Sequence, residues 1–147
     1  MAIRDLLNWT LFQLLIGNSD AHGKNISFFV DKSGIDVAPG YDLLNIGIYG
    51  DEFDHDLALA IGDEFVAKEI LPYQLAEFCD DCNLPQRQVA ANLKNLCRAV
   101  LDNLAGLPME NFQDGDEMEF ARNLIERLRI NAERFLEIAR ELPRVKL

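Results

Sequence analysis

A chain of 147 residues, 49% apolar and 27% charged, is long enough to bury one core without disulfides. Its formal charge of −11, from 25 acidic and 14 basic side chains, repels a phosphate backbone and argues against direct nucleic-acid binding. The longest apolar runs are far short of a membrane span, no leader-like segment precedes the first helix, and three cysteines is an odd count, so a cytoplasmic protein with reduced thiols is expected.

From Ile3 to Ile16 apolar residues fall on nearly every face, which predicts a helix buried on most sides with Trp9 in the core. Gly17 and Asn18 are good helix-stopping residues. The runs ISFFV (26–30) and IDVA (35–38) are β-prone and flank Asp31-Lys32-Ser33-Gly34, so they predict a hairpin. Pro39-Gly40 closes it, and YDLLN (41–45) is expected to begin a short helix. The acidic stretch GDEFDHD and the following LALAIGDEF read as an irregular loop. After Pro72 the pattern is helical. Val89, Leu93, Leu96, Cys97, Val100, Leu101 and Leu104 repeat at helical spacing, as do Ala121, Leu124, Ile125, Leu128, Ala132, Phe135, Leu136 and Ala139. Asp114, Asp116 and Glu117 offer a cap and favourable charge at the start of that last helix. The expected fold is one domain over residues 1–147, mainly α with a small β-hairpin.

The chemistry concentrates in GNSDAHGKN (17–25). A phosphate-cradling P-loop needs G-x-x-x-x-G-K-[ST] between a strand and a helix. Here five residues separate Gly17 from Gly23, Asn25 stands where Ser or Thr belongs, and the helix precedes the loop. That reading fails. A side-chain reading fits better. Asp20 precedes Asn25 by five positions, as the Asp precedes the Asn of a kinase catalytic loop. A carboxylate can accept or orient the proton of an attacking hydroxyl, and an amide oxygen is a hard ligand suited to magnesium. Asp42, beyond the hairpin, supplies a second metal anchor. Each residue also has a plainer reading. Asp20 suits a turn, Asp42 could cap a helix at Leu43, His22 could be a structural hydrogen-bonder, and Lys24 a surface ion-pair partner.

IGNSDAHGKNISF, then APGYDLLN, then LALAIG, in this order and spacing, resemble the C-terminal lobe of HipA-type serine/threonine kinases, the toxins of bacterial toxin–antitoxin modules. The sharp motifs cover about the first half of the chain. The resemblance implies a kinase-like C-terminal lobe with Asp20 as the catalytic Asp, Asn25 and Asp42 holding Mg2+, and His22, Lys24 and Tyr41 along the phosphates of ATP. It also implies a protein substrate, aminoacyl-tRNA synthetases among its targets, and a DNA-binding antitoxin partner. No G-x-G-x-x-G and no Val-Ala-Ile-Lys-like strand occur, so the N-terminal lobe that clamps ATP is expected to be absent from this chain, which is expected to be inactive without a complementary N-terminal lobe. The alternative is a non-catalytic lobe that binds antitoxin, complementary lobe or substrate.

Two further motifs carry less. Cys79 and Cys82 form CDDC, half of a zinc site without a second pair, and they read as packing thiols at helical spacing. Asp51, Glu52, Asp54, His55 and Asp56 lack the Gly and terminal Glu of a calcium loop and read as a solvated acidic loop.

Overall fold

The computed structural model describes residues 2–32, 34–50, 53–112 and 115–147. Helix α1 (Ala2–Ile16) leads into the loop 17–25, which ends in a 3-10 turn, Gly23–Asn25. Strands β1 (Phe28–Asp31) and β2 (Gly34–Val37) pair antiparallel, with Phe28 opposite Val37 and Asp31 opposite Gly34. Ser33 of the expected turn, Asp51 and Glu52 of the acidic loop, and Asp114 of the expected cap lie outside the described residues.

Residues 41–45 are not helical, contrary to the expectation from YDLLN. Asp42 has φ 56°, a left-handed conformation that interrupts a right-handed helix, and the next helical turn is the 3-10 segment Ile46–Tyr49. The stretch read as irregular contains a second antiparallel hairpin, β3 (Asp56–Ile61) with β4 (Glu64–Val66). The fold is therefore mainly helical with two small sheets rather than one.

Helices α2 (Pro72–Asp81), α3 (Gln86–Ala105) and α4 (Asp116–Glu141) complete the order. Pro72 starts α2, where its missing N–H costs nothing and its fixed φ suits the first turn. Asp116 is the first residue of α4 and Gly115 holds the cap position, so Asp116 acts through first-turn charge, with Glu117 and Glu119, and not as a side-chain cap.

One apolar core joins these pieces. Leu7, Leu11 and Leu15 of α1 meet Leu57 and Ile61 of β3, Leu75 of α2, Val89, Leu93 and Cys97 of α3, and Phe135 and Ile138 of α4. Trp9 is buried as expected, whereas Ile3, at 71% exposure, is not. Arg134 fastens α4 to the chain ahead of α2: its guanidinium donates to the carbonyls of Ala67 (2.8 Å) and Ile70 (2.9 Å). Burial of this cation lowers its pKa, and the carbonyl bonds are what make its burial tolerable.

Candidate active-site loop

The end of α1 is tied down completely, and this fixes the loop that follows. An α-helix leaves its last four carbonyls without helical partners. Here Gly17 N–H donates to Leu14 O (3.2 Å) and Asn18 N–H to Gln13 O (3.0 Å), the paired bonds of a Schellman ending. Gly17 takes φ 72°, the left-handed conformation that this ending requires. From α4, Asn131 Nδ2 donates to Leu14 O (2.7 Å) and Leu15 O (2.9 Å). Asn45 Nδ2 takes the last carbonyl, Ile16 O, at 2.7 Å. The loop thus leaves a helix end held by side chains from two distant segments.

The loop is then stitched to what surrounds it. Ser19 Oγ donates to Asp54 O (3.1 Å) and Ser19 O accepts from Ala58 N–H (2.8 Å), joining the loop to the start of β3. Ile46 N–H donates to Gly17 O at 3.1 Å. Asn18 is 3% exposed, and both hydrogens of its carboxamide are engaged, on Gln13 Oε1 (2.9 Å) and Asp42 O (2.9 Å). Asn25 is also buried. Its Oδ1 accepts from His22 N–H (3.0 Å), and its Nδ2 donates to Asp42 Oδ2 (2.7 Å).

The fold therefore brings Asn25 and Asp42, seventeen positions apart, into direct contact. Left-handed backbone costs a non-glycine residue about 1–2 kcal/mol, and Asp is among the residues that tolerate it. Asp42 is kept there by bonds to both its carbonyl and its carboxylate. Tyr41 joins the same group: its hydroxyl donates to Lys24 O (2.7 Å) and lies 3.2 Å from Ser27 Oγ. His22 contributes its backbone N–H, while its half-buried ring has Nδ1 without a partner among the described residues. Asp20 and the Lys24 side chain are exposed, and among the described residues no hydrogen bond or ion pair links either to the Asn25–Asp42 pair.

The donor set suits a hard cation. Asp42 keeps Oδ1 unbonded among the described residues, and Asn25 Oδ1 keeps a lone pair beyond the one facing His22 N–H. One carboxylate and one amide oxygen are few ligands, but Mg2+ is commonly held by one or two carboxylates together with substrate phosphates and water. Among the described residues no cluster of three His, Cys, Asp or Glu side chains is placed to hold a metal. Cys79 is buried and Cys82 exposed, so the two thiols of CDDC do not share one environment, and Cys82 departs from the expected packing role.

Sequence reasoning missed Gln13, Asn18 and Asn45, the side chains that connect α1 to the Asp42 segment. A signal existed for the first of them: Gln13 is the polar residue within the apolar run Leu11–Ile16, and a polar residue there must find a buried partner.

Comparison with known proteins finds relatives along the whole chain. The family model described as HipA-like C-terminal domain matches residues 1–104. A curated relative, the serine/threonine-protein kinase toxin HipA of Shewanella oneidensis strain MR-1, is 40% identical over 147 residues, covering 99% of this chain. The chain spans 34% of that relative's length. A solved structure of the Shewanella oneidensis MR-1 toxin–antitoxin system, HipA with HipB and operator DNA, superposes with a TM-score of 0.85 at 39% identity. That superposition covers 97% of this chain and 34% of the HipA chain.

Proposed function

The chain belongs to the HipA-like C-terminal domain family, and we propose that it carries the catalytic loop and metal anchor of a HipA-type serine/threonine kinase toxin, working with a complementary ATP-clamping lobe. The reaction is transfer of the γ-phosphoryl group of ATP to a protein hydroxyl. The observation that carries this reading is the 2.7 Å bond from Asn25 Nδ2 to Asp42 Oδ2, because it holds together two oxygen-bearing side chains from separate segments, one of them in the loop that bears Asp20.

Each residue then has a distinct task. Asp20, exposed and unpaired among the described residues, accepts or orients the proton of the attacking hydroxyl. Asp42 and Asn25 hold Mg2+, which when bound offsets the negative charge of the phosphates. Lys24 offers its cation to the same phosphates, and His22 and Tyr41 shape the loop beside them through their bonds to Asn25 Oδ1 and Lys24 O. A net charge of −11 is unsuited to DNA, so contact with operator DNA would come through an antitoxin partner.

The exposed apolar surface supports the need for a complementary lobe. Phe28, Phe29, Val30 and Ile35 of the first hairpin are 46–73% exposed, apolar surface that such a lobe would cover. Asp20→Asn tests the assignment in a mixture of this chain with its complementary lobe. Phosphoryl transfer from radiolabelled ATP is expected to disappear while lobe association, followed by calorimetry, is unchanged. Equal transfer by the variant would remove Asp20 from the chemistry, and association without transfer by the parent would favour the non-catalytic binding lobe.

A further inference from the structure

Asn18 belongs to none of the roles above, yet both hydrogens of its carboxamide are engaged. It is 3% exposed and sits two positions before Asp20, at the end of α1. One of its amide hydrogens is fixed by Gln13 Oε1, itself a side chain only 4% exposed, and the other by the carbonyl of Asp42. The neighbouring cross-links, Asn45 to Ile16 O and Ile46 N–H to Gly17 O, join backbone on either side of the same junction. Neither of them touches Asp42. Asn18 does, at the residue whose backbone is left-handed and whose carboxylate is proposed above as the metal anchor.

We propose that Asn18, oriented by Gln13, is a positioning residue that sets the backbone of Asp42 so that its carboxylate can meet the metal. This rests on the metal role proposed for Asp42. The physical reason is a division of labour: Asn25 constrains one carboxylate oxygen, while Asn18 constrains the peptide from which the side chain departs. Without the Asn18 bond the Asp42 peptide can rotate away from its left-handed state, and the carboxylate swings with it. Residues that orient a metal ligand typically change metal affinity by about 10–100-fold when altered. An ordinary buried asparagine would change stability alone.

The test uses this chain together with its complementary lobe, with ADP present and Mn2+ as the paramagnetic probe in place of Mg2+. Free Mn2+ is followed by electron paramagnetic resonance, and the thermal midpoint of each variant by circular dichroism. Asn18→Asp keeps the shape of the side chain and removes both donated hydrogens. It is expected to raise the Mn2+ concentration for half-saturation about tenfold. Gln13→Leu leaves Asn18 in place without its orienting partner and should shift the curve less, in the same direction. If Asn18→Asp does not fold, Gln13→Leu decides. Folded variants that bind Mn2+ as the parent does, while Asp42→Asn loses it, would overturn the proposal and leave the metal role of Asp42 standing. Parent-like binding by Asp42→Asn would instead remove the metal role, and this proposal with it.

Discussion

Gly62 lies in the turn between β3 and β4 with φ 60°, and a Cβ there would come 2.8 Å from the Gln74 carbonyl oxygen of α2. The neighbour is backbone, so the contact cannot be relieved by rotating a side chain. Gly62→Ala is expected to destabilise the protein by about 1–3 kcal/mol, from unfavourable φ together with the clash. Gly106, after α3, gives the contrast: a Cβ there meets only carbonyl oxygens at 3.8 and 3.9 Å. Gly106→Ala should stay within about 0.5 kcal/mol of the parent. Urea unfolding of the two variants measures the difference. Asp42 is the opposite case, a non-glycine residue in left-handed backbone, held there by two side chains of the loop, Asn18 on its carbonyl and Asn25 on its carboxylate.

Cys79 within α2 and Cys82 just beyond its end lie in different surroundings. Cys79 is 1% exposed in the core, and burial pushes its thiol up to about 11; Cys97 of α3 is fully buried and likewise pushed up to about 11. Cys82, at the end of α2, is exposed, although partial burial raises its pKa as well. Thiolate is the reactive form, so access and acidity both favour Cys82. Iodoacetamide near pH 8 is expected to label Cys82 first in the native protein, with Cys79 and Cys97 labelled only after unfolding, as read by peptide mass spectrometry. Labelling of Cys97 at the rate of Cys82 would contradict the described core. The second hairpin shows how an element escapes sequence reading. Gly62-Asp63 is a recognisable two-residue turn, but the strand before it alternates Leu with Ala, which has little β preference, and it follows directly on acidic loop residues.

The molecule carries a charge of −11, and Arg129 of α4 pairs with Glu126 and Glu133 on the same helix. Exposed pairs of this kind add little, whereas net self-repulsion acts on the entire compact state. Raising NaCl from about 10 mM to about 150 mM shortens the screening length from about 30 Å to about 8 Å. The thermal midpoint is expected to rise across that range, which scanning calorimetry can follow; a fall would mean that the α4 ion pairs outweigh the repulsion. Among the described residues no helix is long and apolar enough to cross a membrane. Exposed apolar surface lies instead on the first hairpin and in the cluster of Tyr49, Phe53 and Phe120, whose rings meet at 5.8 and 6.3 Å.

What the sequence determined by itself is local in origin. Helix periodicity placed α1, α3 and α4, glycine chemistry ended α1 at Gly17, and the order Asp20, Asn25, Asp42 pointed to a kinase-like loop. These follow from spacing and from residue chemistry, which do not depend on what lies across the fold. The tertiary structure decided the rest. Asn25 meets Asp42, Asn18 meets the Asp42 carbonyl, and Asn131 of α4 reaches the end of α1 across more than a hundred residues. Such bonds form because the core brings distant segments together and buried amides must then be satisfied by whatever carbonyls arrive there. The expected helix at 41–45 failed for the same reason: local preference was overruled once Asp42 was held left-handed by partners that its own neighbourhood in sequence does not contain.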